Sequence, residues 1–275
     1  MTAVTAKPPP YFTLRSTIAC CVLFCVASVS AEPARIAIII DDLGYEFSAG
    51  RRTVNLPGPV ACAVLPDTPR GRELARAAHA AGKEVLLHLP LQSESGDERD
   101  EPGTIVLDTT REEFAKSFAA SIASVPFVSG VNSHKGSLLT RHPGHMTWLM
   151  EEIRARGNLL FVDSYTTHRS IALPVARENG IPSARRDVFL DSDRNPDAIA
   201  QEFARLKRLA RSRGLAMGIG HPYPETLELL ERELPKLAAE GIELIGIGDY
   251  VALKDADRRL ASSDVAAAAE LATSH

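Results

Sequence analysis

Cysteine is nearly absent from the body of this sequence. Three of its four cysteines, Cys20, Cys21 and Cys25, fall within the first 31 residues, which leaves Cys62 alone beyond them. One cysteine cannot close an internal disulfide, so the fold must rest on its core. Cys62 lies in the apolar run Pro59–Leu65, the setting of a small buried residue rather than a nucleophile. Aromatic residues make up only 5% of the chain, and the net charge is −4. With no basic stripe interleaved with aromatics, nucleic-acid recognition is excluded as the reading. Internal repeats and Pro/Gly-rich linkers are also missing, so nothing divides the chain after its N-terminal segment. That segment, Ile18–Val29, is strongly apolar but short for a membrane span.

Lys7 and Arg15 precede this apolar stretch, and small residues at Val29 and Ala31 follow before Glu32-Pro33. A basic start, an apolar middle and a small-residue end describe a secretory signal peptide over residues 1–31, cleaved near Ala31. An uncleaved anchor and lipid attachment at Cys20 or Cys21 are the alternatives. The expected location is periplasmic or secreted, with no stable membrane span after cleavage. The main domain is expected over residues 34–252. Residues 253–275 form an Ala-rich tail, read as a loose helix or disorder.

What is present is alternation. Apolar, strand-like runs occur at 36–40, 60–65, 84–89, 128–132, 158–162, 187–190, 215–219 and 242–247. Helical patterns fill most of the gaps, at 69–81, 111–124, 144–156, 197–213 and 224–240. Strand-then-helix order predicts an α/β fold with parallel strands. Seven or eight such units over this length favour a closed or nearly closed (β/α) barrel. A polar loop, Gln92–Gly103, follows the third run and is placed as a lid or substrate wall.

The run Ile36–Ile40 ends abruptly in Asp41-Asp42. A buried strand with a carboxylate pair at its C-terminal tip sits where barrels place their chemistry. Strand alternation predicts that the two side chains point different ways, one to hold a metal and one to act as a base. A plain Asp-Asp-Leu-Gly turn is the structural alternative. Other runs end in His88, in Asn132-Ser133-His134, in Asp163-Ser164, in His221 and in Asp249. Acids and imidazoles converging from separate strand tips are what a hydrolytic metal site requires. His142 and His145, around a helix start, are expected at the surface. Asp249 is expected only to terminate the last strand.

Five motifs in order, Ile39-Ile-Asp-Asp-Leu-Gly44, His88-Leu-Pro-Leu91, Asn132-Ser-His-Lys-Gly-Ser137, Phe161-Val-Asp-Ser164 and Gly218-Ile-Gly-His-Pro222, resemble the divergent polysaccharide deacetylase family. That family is related to the NodB-type carbohydrate deacetylases and their distorted (β/α) barrel. The resemblance implies that Asp41 is the base and that Asp42 and His88 bind a divalent metal, zinc by the family pattern. The NodB-type pattern would place a second histidine at position 92, where this chain has Gln92; His134 is expected to replace it. His221 is then the acid that protonates the leaving amine, and Gly136-Ser137 the support for the oxyanion. Asp163 is expected to orient His221 or another ligand, or else to cap the turn that follows it. Tyr45, Tyr165 and Tyr223 could line a sugar groove.

The activity implied is metal-dependent removal of N- or O-acetyl groups from an envelope polysaccharide. Two readings compete with it. One is a catalytically weak or inactive carbohydrate-binding or envelope-assembly protein on the same fold, which Gln92 favours. The other is a glycoside hydrolase using Asp41 and Asp163 without metal.

Overall fold

The computed structural model describes residues 33–96, 101 and 103–273, together with residues 1–3 and 5. The expected export segment, with Cys20, Cys21 and Cys25, lies outside the described residues, as do residues 97–100 and 102 of the polar loop.

The chain begins with strand β1, Ala34–Leu43, followed by α1 (Phe47–Val54), β2 (Ala61–Val64), α2 (Gly71–Ala80) and β3 (Val85–Leu91). After the polar loop come α3 (Arg111–Ser124), β4 (Val128–Lys135), α4 (Pro143–Ala155), β5 (Leu160–Asp163) and α5 (Ala172–Glu178). The remainder is β6 (Ser183–Arg185), β7 (Val188–Phe189), α6 (Pro196–Arg213), β8 (Leu215–Gly220), α7 (Pro224–Glu233), β9 (Ile242–Leu244) and α8 (Ile247–Thr273). The expected helices stand close to where periodicity placed them. The last, expected over 224–240, ends at Glu233 and gives way to 3₁₀ turns at Leu234–Lys236 and Ala238–Glu240. Helix α3 matches to the residue. Its start is a capping box in which Thr110 and Glu113 satisfy each other's backbone N–H groups. The short α1, α5 and β6 carry too few turns of pattern to be read from the sequence. The last expected strand is cut to three residues by the start of α8, which runs on through the Ala-rich tail and takes Asp249 into its first turn.

All strand pairings among the described residues are parallel, in the order β6-β5-β4-β3-β2-β1-β8-β7. β1 is the centre. One edge pairs with β8 along Arg35–Ile40; the other is shared by β9, at Ala34–Ile36, and β2, beyond Ile39. The sheet curls into a barrel whose two ends, β6 and β7, are not paired to each other. Segment 183–189 crosses that gap: Arg186 N donates to the Asp163 carbonyl on β5, and Asp187 N to the Met217 carbonyl on β8. The expected barrel is therefore laced shut by one strip of chain rather than by a continuous ladder.

Burial on both faces explains the uninterrupted apolar runs. Ile36, Ile38 and Ile40 pack under the helices with Val64, Leu74 and Phe203. Ala37 and Ile39 point inward with Ala61, Ala63, Leu86, Met217 and Ile219. Small alanines suit the narrow interior. Cys62 is free and buried in the helix-side layer, and burial pushes its thiol up to about 12, so it is inert as expected.

Candidate metal centre

The interior positions of each strand, counted in twos toward its C-terminal tip, arrive at the polar cluster. Leu86 leads to His88, Gly130 to Asn132 and His134, Ala37 and Ile39 to Asp41, and Met217 and Ile219 to His221. By the same count Asp42 would face the helices with Ile38 and Ile40. It does not, because its φ of +57° rolls the backbone and brings its side chain back to the pocket. The expectation that the two acids diverge is therefore corrected: both line one pocket of 360 Å³.

Three acceptor atoms meet there. Asp42 Oδ1 lies 2.9 Å from His134 Nδ1 and 3.2 Å from His88 Nε2, and the two ring nitrogens are 3.2 Å apart. Octahedral or tetrahedral cation sites with nitrogen and oxygen ligands at about 2.0–2.2 Å have ligand–ligand edges of about 2.8–3.6 Å. The triangle fits. Asp42 Oδ1 is buried and receives no hydroxyl, amide or backbone donor; only ring nitrogens approach it. Among the described residues, Asp42, His88 and His134 are thus the group that could hold a metal ion.

Neighbouring residues set the ring nitrogens. The Asn132 amide nitrogen donates to Asp41 Oδ1 at 2.8 Å and to Ser164 Oγ at 3.3 Å. Its oxygen, 2.9 Å from His88 Nδ1, is left to accept that ring's proton. In the neutral ring, His88 Nε2 is therefore the nitrogen whose lone pair is available to a cation. Burial acts against a charged His88 ring, yet the Asp41 and Asp42 carboxylates raise it to about 9. Burial also resists ionisation of Asp42, but His134 and His88 hold it well below the ordinary carboxylate range. Asp41 is raised, burial outweighing His88, His221 and the Asn132 hydrogen bond. The side chains as assembled call for positive charge. His134 is backed in turn by Glu101, whose Oε2 is 3.3 Å from Nε2.

His221 stands across the pocket, its Nε2 3.7 Å from Asp42 Oδ2. Its orienting acid is Asp191, not Asp163. Asp191 Oδ1 is 2.9 Å from His221 Nδ1, while Oδ2 accepts the His221 backbone N–H and the Thr226 hydroxyl. Burial opposes a charged His221, but the Asp191 hydrogen bond and charge raise its pKa. Gly220 permits this approach: a Cβ there would stand 3.2 Å from Asp191 Oδ2.

Asp163 falls on the helix-side parity with Phe161. Its carboxylate accepts from Tyr165 N, the Ser170 hydroxyl and Arg185 Nε, which makes it the cap of the following turn and keeps it out of the pocket. That also removes the Asp41–Asp163 pair on which a glycoside hydrolase would depend. Gly136 N–H is bound to the Leu91 carbonyl and is therefore engaged, whereas Ser137 Oγ accepts from Glu94 N and keeps its own O–H to donate. Gln92 is buried, and its side-chain oxygen accepts from Leu107 N. It anchors the polar loop where the NodB-type histidine was expected. His145 is buried, not at the surface, packed against His142, Phe114 and Trp148. Tyr223 lines the pocket and Tyr45 an adjoining one of 420 Å³ that shares Asp42 and His134; Tyr165 lines neither.

Sequence reasoning missed Asp191, although the signal was available: it follows a predicted strand directly, as Asp41 does. The structural work of Asn132, Glu101 and Arg186 had no local signal.

Residues 38–251 match the model of the divergent polysaccharide deacetylases. The chain is similar to the uncharacterized protein YibQ of Escherichia coli K12, 35% identical over 198 residues, 72% of this chain and 61% of that protein's length. It is also similar to an uncharacterized protein of Haemophilus influenzae, 32% identical over 222 residues, 81% of this chain and 78% of the other. Among solved structures, an uncharacterized protein of Agrobacterium tumefaciens C58 shares the fold with a TM-score of 0.76 at 23% identity, covering 82% of this chain and 90% of that one. The catalytic domain of a peptidoglycan N-acetylglucosamine deacetylase from Eubacterium rectale shares it with a TM-score of 0.51 at 14% identity, covering 80% and 93%.

Proposed function

The chain belongs to the divergent polysaccharide deacetylase family, and from that premise we propose that it is an exported, metal-dependent hydrolase of N- or O-acetyl groups on an envelope polysaccharide. The observation that carries this reading is the triangle of Asp42, His88 and His134 beside a buried, amide-held Asp41. A divalent cation, zinc by preference for this ligand set, would polarise the acetyl carbonyl and acidify a bound water. Asp41 Oδ2, free of the Asn132 bond on Oδ1, takes the water proton. His221, held by Asp191 through Nδ1, delivers a proton from Nε2 to the departing amine or alcohol. Two adjoining cavities meeting at Asp42 and His134 leave room for sugar on both sides of the reacting residue.

Export rests on the basic, apolar and small-residue order of residues 1–31. Among the described residues, no helix is long and apolar enough to cross a membrane.

The test is acetate release from acetylated amino-sugar oligomers by the purified chain lacking residues 1–31, with metal content measured alongside. We expect about one divalent ion per chain, and loss of acetate release on chelation and in Asp41→Asn. Glycan binding without acetate release, indifferent to metal, would replace this reading with the non-catalytic one.

A further inference from the structure

The chemistry above leaves two charged groups of the pocket wall without a task, and one of them, Lys135, is paired with Glu101. Arg186, on the strip that closes the barrel, lines the same pocket as Asp41, Asp42 and His221. Its Nε donates to the Ser164 carbonyl at 2.6 Å and its Nη2 to the Tyr165 carbonyl at 2.9 Å. The Phe189 ring lies beneath it, 4.5 Å from the guanidinium carbon. Two carbonyls and a ring fix the guanidinium plane and occupy one edge, which leaves donors on Nη1 uncommitted. Its neighbour Arg185 is paired with Asp163. Arg186 has no carboxylate partner among the described residues. Burial lowers its pKa, opposed at longer range by Asp41, Asp163 and Asp191.

A half-buried, rigidly held guanidinium without a counterion, facing a ligand pocket, is built to receive an anion. The open edge is planar, which suits a carboxylate. The nearby acids of the cluster disfavour a doubly charged phosphate. Resting on the deacetylase reading, we propose that Arg186 is a specificity-determining residue that binds a carboxylate carried by the sugar, so that the substrate is an acidic, acetylated amino sugar. The Ser164 carbonyl that holds Arg186 belongs to the residue whose hydroxyl receives the Asn132 amide. This ties the position of the anion receptor to that of the base.

The experiment compares one ligand in two forms: an N-acetylated amino-sugar oligomer bearing lactyl carboxylates, and the same oligomer as its methyl ester. Binding to the metal-loaded wild-type chain is measured by calorimetry, with acetate release followed in parallel. The acid form should bind about tenfold or more tightly than the ester, the scale of a charge-assisted pair. In Arg186→Gln the acid-to-ester ratio should fall toward one, and Arg186→Lys should restore part of it. Thermal melting and metal content identify a variant that has not folded, while the wild-type ratio tests the proposal without any variant. Equal binding of the two forms by wild type, tighter binding of the ester, no binding of either, or equal weakening of both in a folded Arg186→Gln chain overturns it. The two readings fail separately. Selective acid binding without acetate release removes the deacetylase reading and keeps Arg186 as the anion receptor. Equal acetate release from both forms does the reverse.

Discussion

Asn132 uses both ends of its carboxamide inside the site, orienting the proposed base with one and the His88 ring with the other. Replacing it by Ala leaves Asp41 and His88 free to turn and removes the bond that keeps the proton on Nδ1. Zinc affinity, measured by competition with a chromophoric chelator, should fall about 10- to 100-fold, the usual range for a residue supporting a metal ligand. Asp191 and His221 should behave differently. His221→Ala should lower kcat by about 10²- to 10⁴-fold, the range of a positioned acid. Asp191→Asn should lower it too, and both variants should keep their metal. Loss of metal in either would place His221 among the ligands instead.

At the scale of elements, α8 begins on a carboxylate supplied from the entrance to β3. Glu84, just before β3, accepts the N–H groups of Ile247 at 2.5 Å and Gly248 at 2.8 Å. These are N–H groups that a helix start leaves unmatched, and an acid there also meets the positive end of the helix dipole. Glu84→Ala should destabilise the fold by about 1–3 kcal/mol, read as a lower denaturant midpoint. Zinc affinity should be unchanged, because Glu84 precedes β3 and binds the start of α8, not any residue of the cluster.

The same scale shows what could be read without coordinates. Runs such as Ile36–Ile40, and helices with a full set of turns, declare themselves through period and caps. The interior count of twos carries from Leu86 to His88 and from Met217 to His221, so most of the cluster was legible. The count breaks at Asp42, where a positive φ overrides it, and no local pattern announces that roll. It also shows why Asp163 was misjudged: counting from Phe161 places it on the helix side, a check that depends on knowing which face is inner. Asn132 and Arg186 act through partners more than 20 residues away, contacts that only the folded barrel creates.

For the whole molecule, acid stability has an identifiable contributor away from the cluster. Burial, with the nearby His142, lowers the pKa of His145 below the ordinary 6.5. The unfolded chain therefore binds a proton at this position at higher pH than the folded one does. Stability is retained above that ordinary value and lost as pH falls through the interval beneath it. Urea midpoints at pH 7.5 and 5.5 should show a larger drop for wild type than for His145→Gln; an equal drop would assign the acid sensitivity elsewhere.

The strip that laces the barrel carries two neighbours with opposite duties. Arg186 looks into the pocket, while the Asp187 carboxylate takes the Met217 N–H and the hydroxyl of Tyr250 on α8. The rearmost helix and the front wall of the cavity therefore hang on consecutive peptide units. Tension applied to α8 would reach the cavity mouth through this one carboxylate, while the β9–β1 ladder and Glu84 carry the rest of the load into the sheet.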